Sequence, residues 1–157
     1  MYLKGLTQVG KLKIYFDNCC YGRPYDNQND LRIYNETQAK MTIQSLVKYK
    51  ALDLVYSTVT IEEISDYPIE ANRISIIMFI ENNADYFIGK NNNNTAITLT
   101  EEIMKTGIKL KDASHTACAV IANCDYLITT DDRLLKYKDN RIKIVNPIDF
   151  LKIWRTV

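Results

Sequence analysis

The stretches Lys13-Ile-Tyr-Phe-Asp17 and Tyr126-Leu-Ile-Thr-Thr-Asp131 are short β-rich runs that each end in an acid. Aromatic and β-branched residues favour strands, so each aspartate is expected at the carboxyl end of a strand. The carboxyl ends of parallel strands meet at one edge of a sheet, where α/β proteins hold their ligands. The two runs therefore predict a parallel sheet with Asp17 and Asp131 at its ligand-binding edge.

Strand-like and helix-like segments alternate along the rest of the chain. The patterns predict strands over residues 12–16, 52–57, 125–129 and 142–145, and helices over residues 36–50, 60–67, 69–82, 100–107, 112–123, 131–137 and 147–154. The segment between Asp17 and Glu36 is predicted to be a long polar loop. This alternation is typical of the α/β class, here a three-layer α/β/α sandwich around a mostly parallel sheet of four to five strands.

The composition suits one folded domain over residues 1–157, because a chain of 157 residues with 46% hydrophobic content can bury one sizeable core. Residues 1–11 are predicted to be an N-terminal arm and residues 89–96 a polar surface loop. The four cysteines have no disulfide-framework spacing and are predicted to be small buried apolar groups. The absence of a long apolar run and of a secretory signal pattern predicts a cytoplasmic protein with no membrane partner.

Two further acids, Glu63 and Asp112, are expected to reach the same edge of the sheet from predicted helix starts. Carboxylates gathered in this way repel one another unless a divalent cation neutralises them, and Mg²⁺ and Mn²⁺ prefer such oxygen ligands. Two ions about 4 Å apart can hold a phosphate and acidify an attacking water. The four acids therefore predict a metal-dependent enzyme acting on phosphate.

Each acid also has a structural interpretation. Asp17 could begin a turn, and Asp131 or Asp132 could cap the helix that follows. Glu63 could complete a capping box with Thr60, and Asp112 could cap its own helix. The sequence leaves these alternatives open for each residue, while the joint placement of all four acids favours a shared site.

Four ordered motifs carry a resemblance to a known family. They are Phe16-Asp17-Asn18-Cys19-Cys20, Thr58-Val-Thr-Ile-Glu-Glu63-Ile64, Lys111-Asp112-Ala-Ser-His115-Thr-Ala117 and Leu127-Ile-Thr-Thr-Asp131. Together they resemble the motifs of PIN-domain ribonucleases, a family that includes VapC-type toxins of prokaryotic toxin–antitoxin pairs. The resemblance spans residues 12–150 and implies an α/β/α sandwich that cleaves single-stranded RNA or an RNA loop with Mg²⁺ or Mn²⁺.

The resemblance also implies roles for individual residues. Asp17, Glu63, Asp112 and Asp131 would form the catalytic and metal-binding cluster, with Glu63 preferred over Glu62 because it directly precedes an apolar residue. Polar support is implied for Asn18, for Thr129 or Thr130, and for Asp132 as an auxiliary ligand. An RNA substrate, an antitoxin protein and a second copy of the chain are the implied partners.

His115 and the residues after the first acid leave alternatives open. His115 lies three residues after Asp112, so on a helix it would orient that acid or touch substrate, or else be a partly buried histidine bonded to backbone. Tyr21, Arg23 and Tyr25 are candidates for RNA contact through phosphates and bases, or simply part of an ordinary polar loop.

Two other functions compete with a nuclease. A PIN-like module that binds RNA or protein without catalysis would keep the fold, although the presence of all four acids favours an enzyme. An aspartyl-phosphate protein would also place an acid after the first strand. The hydrolase form of that site requires a second aspartate two residues after the first. Cys19 occupies that position here, which disfavours an aspartyl-phosphate hydrolase.

Overall fold

The computed structural model describes residues 10–156, and most of the predicted N-terminal arm therefore lies outside the described residues. The strands are β1 (Lys13–Phe16), β2 (Asp53–Ser57), β3 (Tyr86–Ile88), β4 (Tyr126–Ile128) and β5 (Lys143–Val145). The helices are α1 (Asn18–Gly22), α2 (Leu31–Lys48), α3 (Thr58–Ser65), α4 (Glu70–Asn83), α5 (Asn94–Met104), α6 (Leu110–Ile121), α7 (Asp132–Lys136) and α8 (Pro147–Trp154).

The five strands form one sheet in the order β3-β2-β1-β4-β5, and every neighbouring pair is parallel. The predicted parallel sheet is thus confirmed. The chain starts in the middle with β1, moves outward to β3, and then crosses to the other side of β1 to form β4 and β5. The order therefore reverses between β1 and β4, and ligands of α/β sheets bind outside the strand ends at such a switch point.

Side-chain alternation along the strands divides the core between two layers of helices. Ile14 and Phe16 of β1 face a layer formed by α1, α2, α4 and α8, whereas Tyr15 faces the layer that contains α6 and α7. Helix α5 packs on α6, where the small Ala113 and Ala117 lie buried against apolar side chains of α5. The predicted α/β/α sandwich is therefore confirmed.

The segment after Asp17 differs from the predicted polar loop. It folds into α1 and a 3₁₀ turn over Arg23–Tyr25. Asp17 caps α1 by accepting a hydrogen bond from Asn18 N, and the helix buries Cys20 and Tyr21 in the core. Helix α2 also begins earlier than predicted, because Asp30 caps it at Ile33 N. Capping and burial outweigh the high polar content of this segment.

Two further differences lie between residues 84 and 104. Strand β3 has only three residues at the edge of the sheet, and its exposed Tyr86 and Phe87 lack the burial alternation that marks a strand in the sequence. Helix α5 begins at Asn94 instead of Thr100, because Asn93 caps it by accepting from Ala96 N. The polar surface loop is therefore shorter than the predicted range 89–96.

Of the four cysteines, Cys20, Cys118 and Cys124 are buried free thiols, as predicted, and Cys19 is partly exposed. Among the described helices, none has both the length and the apolar character needed to cross a bilayer.

A buried carboxylate holds the loop before α2 to the last helix. Glu36, with 1% of its side chain exposed, accepts from Arg23 at 2.7 Å and forms an ion pair with Arg32 at 3.3 Å. Asn146 Nδ2 also donates to it. The carboxylate is therefore compensated by three donors from separate parts of the chain, as a buried charge requires.

We expect Glu36→Gln to lower the free energy of unfolding by about 2–3 kcal/mol, because it removes the charge that these donors share while they stay partly buried. Urea denaturation measures the effect. Glu101→Gln on an exposed face of α5 is the matched control and is expected to change little. A loss below about 0.5 kcal/mol for Glu36→Gln would contradict this account of the network.

Candidate metal centre

Asp17, Glu63 and His115 bring one ligand atom each to a common point at the carboxyl edge of the sheet. Asp17 directly follows β1, Glu63 lies on the helix that follows β2, and His115 lies on α6. Their ligand atoms all lie within 4.8 Å of one another. His115 Nε2 hydrogen-bonds to Glu63 Oε1 and lies 3.8 Å from Asp17 Oδ1. Three segments that are distant in the chain thus form one polar cluster.

Asp17 is held rigidly by donors on both carboxylate oxygens. Thr129 Oγ1 donates to Oδ2 at 2.8 Å, and Asn18 N donates to Oδ1 at 2.8 Å. The Cys19 thiol donates to Oδ2 at 3.3 Å. These are neutral donors, and within residues 10–156 no lysine or arginine pairs with this carboxylate, which is only 5% exposed. Asp17 therefore caps α1, a helix that the sequence did not predict, instead of beginning a turn, and it also faces the cluster.

Thr129 connects Asp17 to Asp131. Its hydroxyl accepts from Asp131 N at 3.0 Å while it donates to Asp17. Asp131 Oδ1 accepts from Arg133 N at 2.8 Å, so Asp131 is also the cap of α7. Of the two threonines predicted to give polar support, Thr129 supplies it through its side chain. Thr130 contributes backbone contacts, to the Cys19 thiol and to Arg32.

Asp112 is the third residue of α6 and is half-buried beside the other acids. Burial first, and then the charges of Asp17 and Asp131, raise its pKa from 3.8 to about 6, with His115 opposing and Glu63 adding to the rise. Lys109 occupies the cap position of α6, so the interpretation of Asp112 as a helix cap is wrong. The influence of the other three acids on Asp112 shows that all four carboxylates share one electrostatic environment.

The capping-box interpretation of Glu63 is also wrong. The box at this helix start is formed by Ser57, which accepts from Thr60 N, and by the Thr60 hydroxyl, which accepts from Ser57 N. The Glu63 side chain, 21% exposed, is left to contact His115.

His115 is completely buried and is bonded to side chains, so its interpretation as a partly buried histidine bonded to backbone is wrong. Its Nδ1 lies 2.6 Å from the Tyr15 hydroxyl, and Tyr15 in turn contacts Ser57 Oγ at 2.6 Å and Thr60 Oγ1 at 3.1 Å. Burial, the largest cause, raises the pKa of Tyr15 well above its ordinary value, so this residue stays a neutral phenol. The sequence gives no sign of the Tyr15–His115 contact, which joins residues 100 positions apart.

Asn18, predicted as polar support, links α1 to α3. Its Nδ2 donates to Thr60 O at 3.2 Å, and the Tyr67 hydroxyl donates to Asn18 O at 2.8 Å. Its side-chain oxygen is buried and accepts no hydrogen bond from the described residues. Asn18 therefore positions the backbone next to Asp17.

Three other predicted residues lie away from the cluster or are occupied elsewhere. Both oxygens of the exposed Asp132 accept from Arg32, at 2.8 and 3.0 Å, so this acid serves an ion pair instead of acting as an auxiliary ligand. Tyr21 is buried in the core with 1% exposure, and Arg23 is engaged by Glu36 and Asp26. The prediction of RNA contact for Tyr21 is therefore wrong, because α1 turns its side chain into the core. Arg23 lies on the 3₁₀ turn after α1, and its guanidinium is occupied by the two carboxylates.

Two clefts border the cluster. One, with a volume of about 200 Å³, is lined by Glu63 together with Lys90 and Lys111. The other, of about 450 Å³, is lined by Cys19, Tyr25, Tyr67 and Ile69 among others. Tyr25, 45% exposed, thus remains a candidate for contact with a ligand.

The donor set fits a divalent cation. Hard cations take carboxylate oxygens, and the cluster offers these from separate elements of a rigid scaffold. Burial first, and then the charges of neighbouring acids, raise the pKa of Asp112, and a bound cation would offset the second of these causes. Asp17 and Glu63 form salt-bridge contacts only with His115 in the described part of the chain, so no lysine or arginine is paired with either carboxylate.

We expect Asp112→Asn to stabilise the metal-free protein at pH 8 by about 1 kcal/mol, after allowing for solvent screening of a half-exposed group. The folded state keeps the Asp112 proton up to about pH 6, whereas the ordinary carboxyl loses it near 3.8. Stability of the parent protein therefore falls as pH rises from about 4 to 6, and the gain from the substitution is expected to vanish near pH 4.

Urea denaturation in chelator at pH 4 and pH 8 measures this difference. Asp149→Asn on α8 is the matched control, because the Asp149 side chain is 63% exposed and only 3.8 Å from Lys152 in a surface pair. An equal effect of Asp112→Asn at the two pH values would contradict charge repulsion as the cause.

The fold and the site together define a class of protein: an α/β/α sandwich of PIN-like architecture with an acidic cluster at its switch point. No family model and no curated protein sequence matches the chain.

Solved structures match the fold. A chain of VapBC2 from Rickettsia felis, crystallised bound to a DNA fragment from its promoter, aligns with a TM-score of 0.54 and 15% identity over 86% of this chain and 98% of that chain. A chain of FitAcB from Neisseria gonorrhoeae aligns with a TM-score of 0.57 and 15% identity over the same shares. At this identity the likeness is one of fold, and it agrees with the PIN-like α/β/α architecture.

Proposed function

We propose that this chain is a divalent-metal-dependent endoribonuclease that hydrolyses RNA phosphodiester bonds, and that it is the toxin of a toxin–antitoxin pair. The observation that carries the nuclease proposal is the meeting of Asp17 and Glu63 with His115 at the switch point of the sheet, where within residues 10–156 no lysine or arginine forms a salt bridge with either carboxylate. Asp131 is joined to Asp17 through Thr129, and Asp112 is half-buried with a pKa that burial first, and then the neighbouring acids, raise. Such a cluster is stable with its full charge mainly when cations bind it.

Asp17, Glu63, Asp112 and Asp131 are the proposed ligands of Mg²⁺ or Mn²⁺. When bound, the metal would polarise a phosphoryl oxygen and lower the pKa of an attacking water. The contribution of the protein is to hold the carboxylates in place before substrate arrives. Thr129 and the α1 backbone do this for Asp17, and His115 does it for Glu63.

The two clefts suit a single-stranded substrate. Lys90 and Lys111 would contact phosphates in the cleft beside Glu63, and Tyr25 and Tyr67 would contact bases in the cleft beside Cys19. Stacking on aromatic side chains and contact with basic groups are the usual means of holding unpaired RNA. This arrangement lets a strand pass across the cluster while the protein keeps a net charge of only +1.

The toxin role is supported by the two similar solved structures, both of which are toxin–antitoxin complexes. An antitoxin or a second copy of the chain would cover apolar surface. Ile74 and Met78 lie four residues apart on α4 and are 50% and 55% exposed, so they offer such a surface.

Incubation of the purified protein with defined RNAs in Mn²⁺, followed by mapping of the cut ends, tests the nuclease proposal. We expect cuts at specific sites that leave 5′-phosphate and 3′-hydroxyl ends, and no cuts in chelator. RNA that is bound but never cut, in either Mn²⁺ or Mg²⁺, would favour a non-catalytic PIN-like binding module instead.

A further inference from the structure

We propose that His115 is a nitrogen ligand of the ion bound by Asp17 and Glu63, and that it makes the site select Mn²⁺ and other transition ions over Mg²⁺. The inference deepens the proposed function, because it concerns the same site. It goes beyond an all-carboxylate cluster, in which both ions would bind through oxygen alone.

The distances suit direct coordination. His115 Nε2 lies 3.8 Å from Asp17 Oδ1 and in contact with Glu63 Oε1. Nitrogen and oxygen ligands lie about 2.0–2.2 Å from a small divalent ion, so two ligands of one ion are at most about 4.4 Å apart. The imidazole nitrogen is therefore already within the span of a shared ion with either carboxylate.

The surroundings of Nδ1, the other ring nitrogen, allow Nε2 to change from a hydrogen-bond donor to a metal ligand. Without metal, the contacts fit a neutral ring in which Nε2–H donates to the Glu63 carboxylate, which can only accept, and Nδ1 accepts from the Tyr15 hydroxyl. With metal, Nε2 must carry no proton, so Nδ1–H must donate instead. A hydroxyl can accept as well as donate, so Tyr15 can accept from Nδ1–H and donate its own hydrogen bond to Ser57 Oγ, 2.6 Å away.

Metal-binding histidines usually have such a partner on the second nitrogen, which sets the tautomer and the ring orientation. Here the whole arrangement is buried. His115 and Ser57 have no exposed surface, and neither does Tyr15. The ring is consequently held with Nε2 directed at the two carboxylates. To accept an ion, Nε2 must lose its proton and Nδ1 must carry one, and the Tyr15 and Ser57 hydroxyls must rotate to match.

The choice of metal follows from ligand chemistry. Mg²⁺ binds oxygen ligands and water and keeps a near-octahedral hydrated shell. Imidazole instead suits transition ions, whose affinities rise from Mn²⁺ toward Cu²⁺. A site with one imidazole and two carboxylates therefore favours Mn²⁺, Fe²⁺ or Co²⁺ over Mg²⁺.

Pulsed electron paramagnetic resonance of Mn²⁺ bound to the protein tests coordination directly, because an imidazole ligand couples its ¹⁴N nucleus to the ion. The chain contains one histidine, so a coupled imidazole in protein without an affinity tag identifies His115. We expect ¹⁴N coupling in the unmutated protein, which makes the test independent of how any variant folds.

The expected effect on affinity separates a ligand from a packing role. His115→Gln is expected to raise the Mn²⁺ Kd at least about tenfold and the Mg²⁺ Kd less than about threefold. Tyr15→Phe is expected to weaken Mn²⁺ binding as well, but less than His115→Gln does. Thr100→Val, which removes a buried hydroxyl on α5, is the matched control and should leave both values unchanged. An equal loss for both metals in folded His115→Gln would overturn the proposed selectivity.

The outcomes also separate this inference from the proposed function. Bound Mn²⁺ without ¹⁴N coupling would overturn the inference and leave the nuclease proposal standing on its carboxylates. Coupled Mn²⁺ with no RNA cleavage would support the inference and count against the nuclease. If Mn²⁺ does not bind at all, both fail.

Discussion

Asp17→Asn is expected to reduce the rate of RNA cleavage in Mn²⁺ by at least about 10³-fold. Removal of a single group that stabilises charge at a reacting centre has effects of this size in other enzymes. Asp17 lies at the centre of the cluster, next to His115 and joined to Asp131 through Thr129. Asparagine keeps the size of the side chain and an acceptor for the Asn18 N–H. It removes the negative charge that a cation needs, so binding and catalysis should be lost together.

Initial rates on one RNA oligonucleotide, at saturating Mn²⁺, measure the effect. Asp149→Asn carries the same chemical change on an exposed position of α8 and should retain the parent rate. Circular dichroism spectra would verify that both variants fold. Cleavage that survives Asp17→Asn in a folded protein would defeat the metal-dependent mechanism at this site.

Mn²⁺ is expected to raise the melting temperature of the protein substantially. An ion that binds only the folded state adds about 2.7 kcal/mol at one hundred times its Kd, because mass action favours the state that binds. For a chain of this size that corresponds to roughly 5–10 °C. The ion would also supply the positive charge that Asp17 and Glu63, which have no lysine or arginine partner in residues 10–156, lack without it.

A melting series over increasing Mn²⁺ measures this response, with Asp17→Asn and Asp149→Asn run in parallel in protein without a tag. The first variant should lose the response and the second should keep it. A flat response in the unmutated protein would count heavily against a functional metal centre. The same series with Mg²⁺ provides a comparison of the two ions.

The sequence predicts the sheet edge well, because the relevant information is local. The runs before Asp17 and Asp131 are apolar and β-rich. The structure places Asp17 directly beyond β1 and Asp131 beyond β4, after Thr129 and Thr130. Since parallel strands align their carboxyl ends, two such runs already locate a crevice. The all-parallel sheet and the three layers follow from the alternation of strands and helices.

Elements that depend on burial were predicted less well. Helix α1 contains residues that look like a polar loop, yet Tyr21 and Cys20 are in the core. Arg23 looks available for RNA, yet it serves the buried Glu36, which lies thirteen residues away on α2. Whether a side chain faces solvent depends on what packs above it, and local composition does not contain that information.

For the acids too, the sequence identifies the candidates and the tertiary structure decides their roles. Residue type and motif order identify Asp17, Glu63, Asp112 and Asp131 as candidates, and they leave each helix-cap alternative open. The structure decides for each acid whether it caps a helix. Asp131 is both cap and neighbour of the cluster, whereas Glu63 contacts His115 and has no capping role.

By itself the sequence determined that this protein is an α/β sandwich with acids at one edge of a parallel sheet, since strand ends and helix starts are set by short-range patterns. Only the tertiary structure decided that the one histidine lies between Glu63 and Asp17, with its second nitrogen on Tyr15. Tyr15 and His115 meet because α6 packs against the face of the sheet on which the Tyr15 side chain lies. Contacts across such distances in the chain arise from packing, which no local pattern encodes.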